Sequence, residues 1–221
     1  MTTIYQNSTL GQSTPQPTTY DPHLLYPIAR ELNRSQLQLK GAPPFYGQDI
    51  WNAYELSWLN PKGKPQVAWA ECFIPAHSRY LIESKSLKLY LNSFNDSQFA
   101  DKAAVATVIA QDLSTACATP VRVHCHDWEQ LKRHPIPTDW ICLDHLDILV
   151  DKYQYDPSLL AISHHHSQTQ VYSHLLKSNC LVTGQPDWGT IMIEYHGPTI
   201  EPASLLRYLI SFRQHQEFHE H

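Results

Sequence analysis

Cys180 and Asp187 flank a turn sequence, and their residue types suit addition to an electrophilic carbon followed by delivery of a proton. Gly184, Pro186, Asp187 and Gly189 are turn formers, and the apolar runs on either side read as strands. The cysteine and the carboxylate are therefore expected to face one cavity across a hairpin mouth. A cysteine of ordinary pKa, near ~8.5, is only a few per cent thiolate at neutral pH. Cys180 must then be activated by its surroundings or pass its proton to Asp187. On these residues alone the plainer reading, a small packed cysteine beside a turn aspartate, stays open.

The 221-residue chain is 42% hydrophobic, enough for a packed core in one large or two small domains. Its 16 Lys+Arg against 21 Asp+Glu leave no basic footprint for phosphate neutralisation, so direct nucleic-acid binding is not expected. Five cysteines without C-x-x-C spacing point to reduced thiols and a cytoplasmic location. Residues 1–20 are rich in Thr, Gln, Ser and Pro and lack the pattern of a signal peptide, and no apolar run reaches membrane-spanning length. This polar stretch is expected to be flexible or draped over another surface.

The elements that must position the pair follow from periodicity. A short helix is expected around Leu24 to Leu32, and Gly41-Ala42-Pro43-Pro44 marks the start of the compact fold. Asp49 to Leu59 and Gln66 to Ile74 read as a hairpin turning at Asn60-Pro61-Lys62-Gly63-Lys64-Pro65. Leu87, Tyr90, Leu91 and Phe94 form one helical face, and Val105, Val108, Ile109 and Leu113 a second. Pro120 to Cys125 and Trp140 to Val150 resume strand character, and Asp156 to Gln170, with its triple histidine, reads as a linker. Another hairpin, Tyr172 to Tyr195, and a helix from Pro202 to about Gln216 complete the reading.

An internal repeat organises these elements. Leu87-Lys88-Leu89-Tyr90-Leu91-Asn92-Ser93-Phe94 recurs as Leu205-Leu206-Arg207-Tyr208-Leu209-Ile210-Ser211-Phe212. Each copy follows a hairpin whose second strand opens on proline with tryptophan soon after, Pro65 with Trp69 and Pro186 with Trp188. The expected organisation is an N-terminal extension (1–40), a first module (41–156), a linker (157–170) and a second module (171–221). The second module is expected to be incomplete, since His221 falls where its second helix should begin.

Ile82-Glu83-Ser84-Lys85-Ser86-Leu87-Lys88-Leu89-Tyr90-Leu91-Asn92-Ser93-Phe94, the Cys180 to Trp188 stretch and Phe218-His219-Glu220 resemble the long, two-module NADPH-dependent 7-cyano-7-deazaguanine reductases, the QueF-type nitrile reductases of queuosine biosynthesis. The resemblance runs from about Leu10 to the chain end. It implies an α+β fold of tandem tunnelling-fold modules, antiparallel sheets with helices on one face, and cytoplasmic homodimers acting on a small deazapurine nitrile. It implies that Cys180 forms a covalent thioimide and Asp187 donates the proton. It further implies that Ile82, Glu83, Ser84, His219 and Glu220 hold the substrate, that Ser84 and Lys85 hold NADPH, and that no metal is required.

Two other functions are open to these residues. His124-Cys125-His126, with Cys142, His145 or His164 to His166, suggests zinc, as in a zinc-dependent pterin or purine hydrolase of the same fold. A non-catalytic deazapurine-binding protein is the other. The aromatics Trp51, Tyr54, Trp58 and Trp69 are expected to pack the sheet rather than to stack a base.

Overall fold

The structure, a computed structural model, describes residues 17, 19–35, 44–131, 135–181 and 183–217. Two compact units follow one another along the chain, the first extending to residue 133 and the second beginning at residue 134.

In the first unit β1 (Pro27–Ala29) pairs antiparallel with β4 (Tyr80–Ile82). A second antiparallel sheet has the order β2 (Gln48–Leu59), β3 (Pro65–Pro75), β5 (Arg122–His126), with β2 at one edge among the described residues. The β2–β3 hairpin closes where Asn60 Oδ1 accepts the Lys62 and Lys64 N–H groups and Gly63 takes φ +76°. α1 (Glu31–Arg34) is a single turn. α2 (Ser84–Asn92) and α3 (Lys102–Cys117) lay their apolar faces on the sheet, burying Leu87, Tyr90, Leu91, Val105, Ile109 and Leu113 against Leu56, Ala70 and Ile74. Asp101 caps α3 by accepting from Ala104 N–H, and Ala118 ends it in the left-handed region. Tyr20 and Tyr90 both donate to Asp112 of α3, at 2.6 and 2.5 Å. Burial, reinforced by that carboxylate, pushes both phenols above their ordinary pKa.

The helix expected over Leu24 to Leu32 is instead a helical turn at Pro22–Leu24, then β1, then α1. Pro27 forbids a continuous helix there because it has no N–H to donate.

The second unit holds β6 (Ile141–Cys142), β7 (Ile162–Asn179), β8 (Pro186–Ile200) and α4 (Pro202–Ser211). β7 and β8 form a long antiparallel hairpin, and β6 pairs with β7 in parallel. Trp140 to Val150 thus lies in the second unit rather than the first, and only Ile141–Cys142 of it is strand. Asp144 and Asp147 interrupt the apolar run, and aspartate is depleted in strands. The expected linker is also structured: Pro157–Leu159 is a helical turn, and the triple histidine lies within β7 with all three side chains exposed. Among the described residues, no helix is long and apolar enough to cross a membrane.

The units repeat one another in detail. Tyr20-Asp21-Pro22 and Tyr155-Asp156-Pro157 open matching helical turns, each capped by its aspartate. Tyr20 lies 5.1 Å from the Phe94 ring and Tyr155 5.0 Å from Phe212. Both hairpins carry a bulge at the same place, between Ala53 and Leu56 and between Ser173 and Leu176. By this register Pro65 corresponds to Pro186, but Trp188 corresponds to Val67, so the tryptophan pairing read from sequence does not hold.

Candidate active site

The nucleophile candidate sits at the end of β7. Cys180 N–H donates to Gln185 O at 2.7 Å and Gly184 N–H returns to Cys180 O at 2.9 Å, while Gly184 adopts φ +68°, where other residues are strained. Asp187 pairs with Ser178 across the hairpin. Cross-strand partners share a sheet face, and Cys180 follows Ser178 by two residues, so the alternation of β7, continued one residue past its end, carries Cys180 to the face of Asp187.

His174 and Leu175 together oppose Thr190, a bulge that shifts the side chains between it and the turn by one position relative to the rest of β7. The pairing of Ser178 with Asp187 is set by the turn, so the bulge decides which face of the sheet this end of the hairpin presents with Cys180 and Asp187. Cys180 is half-buried and Asp187 exposed. Asn179 N–H donates to His215 O at 2.8 Å, and Glu217 N–H donates to Asn179 O at 3.2 Å. This parallel bridge anchors the chain beside Cys180 just before residue 218. His219 and Glu220 lie outside the described residues.

The substrate segment belongs to the first unit. Ile82 ends β4, and Glu83 N–H donates to Tyr26 O at 3.0 Å. The buried Glu83 carboxylate caps α2, accepting from Lys85 N–H at 2.6 Å and Ser86 N–H at 2.9 Å. Oε1 also accepts from Ser84 Oγ at 3.5 Å, while among the described residues Oε2 accepts from Ser86 N–H, which leaves room for a ligand N–H. Glu201 caps α4 in the same way, through Ala203 and Ser204 N–H. Because the cap engages the first-turn amides of α2, a phosphate arriving there would meet Ser84, which is exposed, and the Lys85 ammonium. Ser84 also borders a groove of about 320 Å³ between α2 and the edge of β2, a feature that sequence periodicity does not reveal.

His126 Nε2 lies 2.8 Å from Glu71 Oε2, and its ring stacks on Trp69 with centroids 4.4 Å apart. Cys125 alternates to the other face. The His-Cys-His run is thus divided between a partly buried His126–Glu71 hydrogen bond and the packed sheet, and the described residues contain no group of three or more potential metal ligands.

Among known proteins, a family model described as nitrile reductase, 7-cyano-7-deazaguanine-reductase N-term, matches residues 16–125, and one described as QueF-like protein matches residues 186–221. A relative from Azoarcus sp. (strain BH72) is 53% identical over 217 residues, spanning 96% of this chain and 76% of its own length. Another, from Coxiella burnetii (strain CbuK_Q154), is 53% identical over 225 residues, spanning 98% and 79%. A third, from Dechloromonas aromatica (strain RCB), is 53% identical over 219 residues, spanning 96% and 76%. All three are named NADPH-dependent 7-cyano-7-deazaguanine reductase. The chain belongs to the 7-cyano-7-deazaguanine reductase family. The α+β architecture of two related units is the tandem tunnelling-fold arrangement expected of this reductase family.

Thiol reactivity gives a first check on Cys180. Burial pushes Cys72 up to about 12 and Cys117 and Cys125 to about 11, so these three are almost wholly protonated at pH 8. Iodoacetamide at pH 8 should alkylate Cys180 well before any of them, read by peptide mass spectrometry. Equal labelling of Cys72 and Cys180 would contradict the burial pattern.

Proposed function

We propose that this chain reduces the nitrile of 7-cyano-7-deazaguanine to the aminomethyl group with two NADPH, through a thioimide on Cys180. The observation that supports this reading of the site is the shared face of Cys180 and Asp187 in a chain of this family. The Cys180 sulfur adds to the nitrile carbon, and the nitrile nitrogen takes a proton from Asp187, which leaves a neutral thioimide. NADPH supplies one hydride to the thioimide carbon and, after the C–S bond breaks to regenerate the thiolate, a second to the resulting imine. The four-electron reduction thus consumes two NADPH and two protons.

Ile82, Glu83 and Ser84 from the first unit, with His219 and Glu220, are assigned to the deazapurine. Its ring N–H groups suit carboxylate acceptors such as Glu83 and Glu220. Ser84 and Lys85 are assigned to NADPH, with Lys85 as a point charge for a phosphate. The protein is assigned as a cytoplasmic homodimer acting on the free small molecule.

Incubation with the nitrile in the absence of NADPH should raise the intact mass by that of one nitrile, with the adduct mapping to Cys180. The absence of an adduct on folded protein whose Cys180 still reacts with iodoacetamide would sink the thioimide.

A further inference from the structure

The hairpin that carries Cys180 repeats the first hairpin residue by residue. Counting from the matched bulges, Ser57, Leu59 and Asn60 correspond to Lys177, Asn179 and Cys180, and Gln66 to Asp187. The helix repeat, continued past Phe94 and Phe212, sets Asn95 against Arg213, Ser97 against His215 and Phe99 against Glu217. In both units the end of the hairpin's first strand is bridged in parallel by the chain that follows the helix. Leu59 N–H donates to Ser97 O at 2.9 Å and Phe99 N–H to Leu59 O at 2.9 Å, the pattern that Asn179 makes with His215 and Glu217.

The second unit adds a clamp to this shared bridge. The Lys177 ammonium donates to Asn179 Oδ1 at 2.6 Å and, at 2.9 Å, to Arg213 O in the helical turn Phe212–Gln214 that follows α4. The Arg213 guanidinium lies 5.6 Å from the centre of the Trp188 ring, and Trp188 is both the cross-strand partner of Lys177 and the residue after Asp187. Both strands are thus gripped next to the reacting pair. The first unit has Ser57, Leu59, Asn95 and Val67 at these four positions, which supply no cation for such a clamp. Its bridge forms all the same, so the fold does not require the clamp. What sets the second unit apart is the cysteine that follows Asn179.

We propose that Lys177 is a positioning residue for Cys180. By tying the Asn179 side chain to the Arg213 carbonyl through two charge-assisted hydrogen bonds, it fixes the peptide unit that leads into Cys180 and so the direction from which the sulfur meets the nitrile carbon. Lys177 and Asn179 alternate to the sheet face opposite Ser178, so the ammonium acts through the backbone and touches neither sulfur nor substrate. Addition depends steeply on approach geometry, and a displacement of about 1 Å can cost up to ~10²-fold in rate. This role rests on the thioimide reading of Cys180.

Placing the first unit's residues in the intact protein tests it. Lys177→Ser, alone and with Asn179→Leu, should form the nitrile adduct ~10-fold more slowly than the parent at saturating nitrile without NADPH, read by intact mass. Alkylation of Cys180 by iodoacetamide, a small reagent free to approach from many directions, should stay within about twofold of the parent rate. Lys177→Arg keeps a charged donor and should recover most of the adduct rate. A lysine that only stabilises the fold would lower the urea midpoint and leave the adduct rate of the folded protein unchanged, and that result overturns the positioning role. Alkylation that slows in step with adduct formation also overturns it, because the thiol itself would then have changed, and so does an arginine variant no faster than serine. If the double variant does not fold, the single variant decides. No adduct on the parent would sink the thioimide reading itself, whereas a parental adduct with unchanged variant rates sinks the clamp alone.

Discussion

Replacing Cys180 with serine should lower nitrile turnover by ~10³-fold or more and eliminate the covalent adduct, while shifting folding stability by less than about 0.5 kcal/mol. The side chain is half-buried at a turn, and the hydrogen bonds that hold the turn run through its backbone N–H and carbonyl, which serine keeps. What serine loses is nucleophilicity, because a hydroxyl is far less acidic than a thiol. Asp187→Asn should behave differently. It preserves shape but cannot deliver a proton, so adduct formation should slow by ~10²–10⁴-fold with substrate affinity largely retained. Intact-mass time courses without NADPH separate the two variants. Serine at position 180 that sustains more than a tenth of parental turnover would exclude the thioimide.

The parts of this site that sequence disclosed were those encoded by residue type and local spacing. The Cys180–Asp187 turn announced itself through Gly184 and Pro186, and the helical faces through Leu87, Tyr90 and Leu91. Register was not local. No glycine or proline marks the bulge at His174 and Leu175, yet that bulge decides which face of the sheet the end of the hairpin carrying Cys180 and Asp187 presents. The triple-histidine strand was hidden for a related reason: with both faces of β7 exposed at His164 to His166, the alternation that identifies a half-buried strand is missing. The Tyr-Asp-Pro repeat was legible but out of step, because the first unit inserts α1 and the chain up to Gly47 between this turn and its hairpin, whereas the second runs into β7 directly. Glu83 stands out in sequence only through the family resemblance. Its double cap is repeated at Glu201, but Glu83 is buried and Glu201 exposed, a difference that local spacing does not encode.

The pairing of β1 with β4 predicts the largest stability effect in the first unit. Arg30, 2% exposed, is ion-paired with Asp49 at the start of β2, and its Nε donates to Ser78 Oγ at 3.0 Å. Ser78 Oγ in turn donates to Tyr80 O at 2.8 Å, and Arg30 N–H donates to Arg79 O at 3.2 Å. One buried cation therefore ties β1 and β2 to the strand that ends at Ile82, immediately before the Glu83 cap. Asp49→Ala removes the carboxylate that neutralises this charge and should cost about 3–5 kcal/mol, read as a lower urea midpoint at unchanged m-value. Asp49→Asn keeps a hydrogen-bond acceptor and should cost less. Replacing both partners, Arg30→Met with Asp49→Leu, should recover most of the loss, because no desolvated charge is left. The exposed pair between Lys88 and Glu55, 3.3 Å apart, should show the opposite profile: Glu55→Ala costs within about 1 kcal/mol, and salt near 1 M abolishes that cost. If the Asp49→Ala cost also vanishes in 1 M salt, the Arg30 pair is solvated, and the segment carrying Ile82 to Ser84 is held by its strand hydrogen bonds alone.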